Sequence, residues 1–81
     1  MSAGYETLIV TFSDPIKVLD NMFADADVWG TDSLKGWVEG YESTRMTPIN
    51  DHTAVITSEY NMPSVKEWLM RYTAIAEMRE F

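Results

Sequence analysis

Apolar and polar residues alternate along three segments of the chain with the period of two that is typical of strands. The segments cover residues 5–12, 35–44 and 53–60, and the first and third are rich in β-branched residues. Between the last two segments, residues 48–51 hold a proline, an asparagine and an aspartate, which favour a tight turn. The sequence therefore predicts one strand and, later in the chain, a two-stranded hairpin.

Two other segments repeat apolar residues at three- and four-residue spacing, which predicts amphipathic helices. The first is expected over residues 16–27, after a proline that suits the first turn of a helix. The second is expected to open with a capping box made by Ser64 and Glu67 and to run close to Met78. The predicted order is βαββα, in one α+β domain over residues 1–81.

The alternation gives the predicted antiparallel sheet two different faces. One face is small and aliphatic, and we assign it to the two helices; it consists of Leu8, Val10, Val38, Gly40, Ala54 and Ile56. The other face is aromatic and polar; it consists of Tyr5, Thr7, Ile9, Thr11, Trp37, Glu39, Tyr41, Thr53, Val55 and Thr57. Because this second face is too aromatic for open solvent, we expect it to be buried against the same face of another copy.

In element order and in this two-faced sheet, the chain resembles the dimeric α+β barrel group of ferredoxin-like proteins. That group includes antibiotic-biosynthesis-monooxygenase-like and stress-responsive barrel domains. The resemblance spans most of the chain and rests on pattern, without a diagnostic motif. It implies a homodimer and oxygenase- or isomerase-like chemistry on small aromatic molecules, although a fold alone does not define a function.

Proteins of that group usually close with a fourth strand after the second helix. Here the helix is expected to continue instead, because Ile75 and Ala76 extend its apolar stripe. The alternative is a helix that ends near Tyr72, followed by a short edge strand over residues 74–81. The first arrangement leaves the sheet open at one edge.

Composition adds a second reason to expect a dimer. A chain of 81 residues buries only about 60% of its unfolded surface, and this one has 46% hydrophobic residues and no cysteine for a disulfide. Its net charge of −7 disfavours nucleic acid and anionic membranes as partners. No apolar run approaches the roughly 18 residues of a membrane span, so the expected location is cytoplasmic.

Aromatic residues are the main candidates for a ligand site. The sequence suggests a pocket for a small hydrophobic or aromatic molecule between the sheet and the helices, lined by Trp29, Trp37, Glu39, Tyr41 and Tyr60. In this interpretation Glu39 lies among aromatic rings, as a base or as a hydrogen-bond partner of the ligand. The alternative is a glutamate at the rim that reaches water or pairs with Arg45.

No catalytic residues, metal site or bound cofactor is predicted. The acidic residues 25–30 resemble the start of a calcium loop, but Trp29 and Gly36 stand where two of its ligands are required. His52 is the only histidine, and its place beside the hairpin turn favours a structural role. Two functions remain open: binding or conversion of a small molecule, and a non-catalytic acidic module that docks another protein.

Overall fold

The chain alternates strands and helices around one sheet. A computed structural model describes residues 6–26 and 33–80. The elements in these ranges are β1 (Glu6–Phe12), α1 (Ile16–Ala26), α2 (Leu34–Val38), β2 (Thr44–Pro48), β3 (Thr53–Ser58), α3 (Met62–Tyr72) and β4 (Ile75–Glu80). They form a small α+β fold in which a four-stranded antiparallel sheet is combined with three helices.

The strands lie in the order β2-β3-β1-β4, so that β1 and β3 are central and β2 and β4 are edges. Ile9 of β1 stands opposite Val55 of β3 on one side and opposite Arg79 of β4 on the other. The pairing of β1 with β4 shifts between Thr11 and Phe12.

The core lies on one face of the sheet, which we call the inner face. Alternate strand residues point into it and meet the apolar sides of the helices, because side chains along a strand alternate between its faces. The buried hydrophobic residues are Leu8, Val10, Phe12, Ile16, Leu19, Phe23, Leu34, Val38, Met46, Ala54, Ile56, Met62, Val65 and Leu69. Met22 stands at the three- and four-residue spacing that predicts a core position, yet it is half exposed on the outside of α1.

The opposite face, which we call the outer face, is threonine-rich. By strand alternation and register it carries Thr7, Ile9, Thr11, Arg45, Thr47, Thr53, Val55, Thr57, Glu77 and Arg79. The part of the chain that the structure describes places no helix on it. This face lacks Trp37, Glu39 and Tyr41, which were expected on it, because their segment is not a strand.

The prediction of a strand over residues 35–44 was wrong. Ser33 caps a short helix there, with its side chain accepting a hydrogen bond from the Gly36 N–H at 2.9 Å. Leu34 and Val38 are four residues apart, so both reach the core from one side of α2. The second strand begins only at Thr44, and the predicted hairpin joins it to β3.

The favoured long last helix was also wrong, and the alternative with a fourth strand describes the molecule. The helix α3 ends at Tyr72, where Thr73 turns to an extended conformation and donates to the Leu69 carbonyl from both its N–H and its hydroxyl. Ile75 and Met78 then pack against the core from β4. The capping box is absent as well, because α3 begins at Met62 and leaves Ser64 inside its first turn.

Candidate functional site

Among the described residues, five aromatic rings meet on the helical layer. The Trp68 ring of α3 stacks on Trp37 of α2 with centroids 3.3 Å apart and on Phe23 of α1 with centroids 5.4 Å apart. Tyr41 meets Trp37 edge-on at 4.9 Å, and Tyr72 lies one turn after Trp68 at 5.0 Å. Stacked and edge-to-face pairs each add stability beyond the area that they bury. This cluster therefore fixes the three helices against each other.

A tight turn after α2 brings Tyr41 to the cluster. The Gly40 N–H donates to the Trp37 carbonyl at 3.1 Å, and the Tyr41 N–H donates to the Val38 carbonyl at 3.2 Å. A Cβ atom at Gly40 would lie 3.1 Å from the Trp37 carbonyl oxygen, which is closer than a side chain normally packs. A residue larger than glycine would therefore require this carbonyl to give by a few tenths of an ångström.

Buried hydroxyl groups tie this turn to the start of α3. Thr44 and Ser58 stand opposite each other on β2 and β3, and their hydroxyl oxygens are 2.8 Å apart. The Asn61 N–H donates to Ser58 Oγ at 3.0 Å, while its side-chain amide donates to the Glu42 carbonyl at 2.9 Å. These bonds set the position of Tyr41 relative to the rings of α3.

Between the turn and α3 lies an open cleft of about 370 Å³. Among the described residues, its walls come from Tyr41, Pro63, Ser64, Glu67, Trp68, Arg71 and Tyr72. No strand residue is in this set, so the cleft lies at the surface of the helical layer and not between sheet and helices. Its volume falls in the range of small-molecule sites, which begins at about 300 Å³.

The polar groups of the cleft come from one side of α3. Arg71 and Glu67 are four residues apart, with their closest charged atoms at 3.8 Å and both side chains mostly exposed. Exposed pairs of this kind contribute at most about 0.5 kcal/mol. Arg71 can therefore turn toward a bound molecule at little cost.

Of the five residues that the sequence proposed for a ligand site, the four that the structure describes do not line one cleft. Trp29 lies outside the described residues. The rings of Trp37 and Tyr41 are in contact, but only Tyr41 is among the residues that line the cleft. Tyr60 is 65% exposed and is not among the described lining residues.

Glu39 has a structural partner. Its carboxylate accepts a hydrogen bond from the Met46 N–H at 3.1 Å and lies 4.0 Å from the Lys35 ammonium group. Because β2 is an edge strand, the Met46 N–H would otherwise point to solvent. Glu39 also borders a second depression, of about 490 Å³, which residues 39–45 line.

Sequence reasoning missed the residues of α3 that shape the cleft. The spacing of Tyr72 continues the apolar stripe of the predicted helix and so predicts a core position, yet Tyr72 is 46% exposed at the end of the helix. Ser64 was taken as a cap. The one available signal was the spacing of Trp68, Arg71 and Tyr72, which places an aromatic and basic strip along one side of a helix.

His52 supports the fold at the other end of the sheet. Its Nδ1 lies 3.1 Å from the Phe12 carbonyl oxygen, and the Phe12 N–H donates to the His52 carbonyl at 2.7 Å. The ring is half-buried, although a place beside the hairpin turn predicts an exposed side chain. Within the described residues, no group of three histidine, aspartate or glutamate side chains is arranged to hold a metal ion. Residues 27–30 of the segment that resembles the start of a calcium loop lie outside that part of the chain.

The fold and the cleft define a small α+β protein with an open site walled by aromatic rings. The family model described as Domain of unknown function (DUF6956) matches residues 1–80, and the chain belongs to that family. No curated protein and no solved structure matches the chain. Among the described residues, none of the helices has the length and apolar character needed to cross a membrane.

Proposed function

We propose that this protein binds a small aromatic molecule in the cleft between α3 and the turn after α2, without a bound cofactor. The observation that carries the proposal is the grouping of Tyr41, Trp68 and Tyr72 around a cleft of about 370 Å³. Small-molecule sites combine aromatic walls with a few polar groups that orient the ligand. Here Ser64 and Arg71 supply such groups.

The chemistry of the cleft favours a planar ligand with an acidic substituent. Rings of Tyr41 and Tyr72 offer apolar contact, and the Arg71 guanidinium offers a fork of donors that matches a carboxylate. The described lining has no histidine and no lysine, so the proposal is confined to binding. Conversion of the ligand is not part of it.

The proposal also includes a ferredoxin-like arrangement and a homodimer. Two features support the first point: β1 and β3 lie at the centre of an antiparallel sheet, and the element order reduces to βαββαβ when α1 and the short α2 are counted as one helical connection. The small size of the chain and its outer face, which carries no described helix, support the second. We also propose a cytoplasmic location, with which the lack of cysteine is compatible.

Tryptophan fluorescence tests the ligand site, because Trp68 borders the cleft. We expect saturable quenching by aromatic carboxylates and weaker quenching by their neutral amides. Tyr72→Ala should weaken binding by about tenfold, as loss of an aromatic wall does at small interfaces. Tyr60→Ala is the matched control, since it removes an exposed tyrosine outside the described lining.

Arg71→Gln should abolish the preference for the acid over the amide while leaving some binding of both. Absence of a saturable signal with every aromatic compound would contradict the proposal. Equal losses from Tyr72→Ala and Tyr60→Ala would contradict this choice of site.

A second candidate function is a non-catalytic module that docks another protein. It is favoured by the net charge of −7, which suits a basic partner. Capture of partners from an extract at low and high salt tests it, because an electrostatic partner should be released as salt rises. Recovery of no partner at either salt would count against this function.

A further inference from the structure

The strand registers arrange the outer face in three rows that run across the sheet. The rows are Arg45, Thr57 and Thr7; then Thr47, Val55, Ile9 and Arg79; and last Thr53, Thr11 and Glu77. Ile9 and Val55 therefore form an apolar centre. Arg45 and Glu77 occupy opposite corners, on the two edge strands and on the two outermost rows.

The distances across this face are nearly equal in both directions. The edge strands are three strand spacings apart, and the outermost rows are four residues apart, so that both separations are about 14 Å. The line that joins Arg45 to Glu77 is therefore the diagonal of an approximate square centred on Ile9 and Val55.

We propose that the outer face is a homodimer interface in which the sheets of two copies cross at nearly a right angle. In this arrangement Arg45 of each copy pairs with Glu77 of the other. The two-fold axis lies between the two sheets, along the diagonal of the square that does not join Arg45 to Glu77. Rotation about this axis places Arg45 of each copy over Glu77 of the other, so that both ion pairs form at once. Near-perpendicular crossing is one of the two usual ways in which sheets pack. The inference rests on the dimer included in the proposed function.

Other two-fold axes fit the charges less well. An axis parallel to the strands sets Arg79 against Thr47 of the other copy and leaves Glu77 away from any arginine. An axis perpendicular to the strands sets Arg79 of one copy against Arg79 of the other, and these like charges repel each other. The diagonal axis instead brings Arg79 toward the hydroxyl groups of Thr7 and Thr57. It therefore pairs opposite charges without opposing like ones.

The charges on this face are available for a partner. Within the described residues, neither Arg45 nor Glu77 makes an ion pair or a side-chain hydrogen bond. The chain has a net charge of −7, so two copies repel each other in general. The outer face differs in charge from the protein as a whole, because it carries two arginines and a single glutamate.

The size of the face predicts a modest affinity. Four strands of about six residues give a footprint of about 400 Å² per copy, below the roughly 800 Å² per partner of a standard interface. We therefore expect a dimer that dissociates on dilution and weakens as salt rises. In such an interface the two ion pairs have a large influence on association.

Sedimentation equilibrium from micromolar to near-millimolar concentration tests the arrangement. Arg45→Glu and Glu77→Arg should each weaken association by about tenfold or more, because each places like charges together at two points. The double variant Arg45→Glu/Glu77→Arg should return association to within about threefold of the original protein. Arg71→Glu is the control, since it reverses a charge on α3 away from this face.

Restored association in the double variant would support the crossed arrangement. A monomer at every concentration, unchanged association in the single variants, or a double variant no better than the singles would each overturn it. The two single variants lie on different strands, so one remains informative if the other fails to fold. Ligand quenching measured on the dissociated Arg45→Glu protein reports on the cleft separately, because the cleft lies on the helical layer.

Discussion

The two faces of the sheet have the same four strands and different surroundings. The inner face carries side chains such as Leu8, Val10 and Ile56, which are fully buried beneath the helices. On the outer face, Ile9 and Val55 are only half-buried and stand among threonines and charges. Strand alternation assigns side chains to the two faces, but the difference in burial arises because the described helices cover only the inner face. The inner face supports the monomer, and the outer face remains available for association.

The largest expected effect comes from a matched pair of isoleucines on opposite faces. Ile56→Ala should lower the free energy of unfolding by about 3 to 4 kcal/mol, because it leaves a cavity in a packed core. Ile9→Ala, measured by urea unfolding at a dilution where the chain is monomeric, should cost only about 1 kcal/mol. Equal losses would mean that the outer face is covered as fully as the inner one.

A second comparison uses two threonines and the same isosteric change. Thr44→Val removes the partner of the Ser58 hydroxyl on the inner face and should cost about 1 to 2 kcal/mol. Thr57→Val, on the outer face, removes a hydroxyl without such a partner and should change stability by less than about 0.5 kcal/mol. Thermal unfolding measures both. If Thr44→Val proved neutral, the buried hydroxyl pair would have no structural role.

Substitutions of Glu39 test the edge of the sheet, where its carboxylate accepts from the Met46 N–H of β2. Glu39→Ala should lower the free energy of unfolding by about 1 kcal/mol, because the Met46 N–H loses its acceptor. Glu39→Gln keeps an acceptor oxygen and should retain most of that stability. Chemical denaturation compares the two variants. A glutamine variant as unstable as the alanine variant would point to charge and not to this hydrogen bond.

The smallest effect is expected in the turn that precedes β2. Ser43 has a φ of 56°, in the left-handed region that costs most residues about 1 kcal/mol. Ser43→Gly should relieve this cost and raise the melting temperature slightly. A lower melting temperature would show that the flexibility of glycine in the unfolded chain outweighs the relief.

Periodicity in the sequence predicted β1, α1, the hairpin and β3, where one face of each element is clearly apolar. It failed over residues 35–44, because Trp37, Glu39 and Tyr41 alternate like a strand while Leu34 and Val38 are spaced like a helix. It failed again after Tyr72, where Ile75 and Ala76 continue a helical stripe and yet belong to the strand β4. In both places tertiary contacts decided between two local patterns.

The candidate site was less accessible to sequence reasoning than the fold. Trp37 and Tyr41 were expected on one face of a strand; they are not on a strand, and their rings meet because α2 and the turn after it bring them together. The cleft depends on how the turn after α2 meets α3, and hence on bonds between residues far apart in the chain. Asn61 and Glu42, which make one of these bonds, have no pattern that would link them.

The bond from the Met46 N–H to Glu39 also bears on how far the protein can assemble. An exposed edge strand can recruit another strand and grow into a filament. On β2, the Glu39 carboxylate occupies one outward N–H group, and Pro48 has none to offer. Growth along that edge is therefore hindered, whereas the face-to-face dimer proposed above would close at two copies about its two-fold axis.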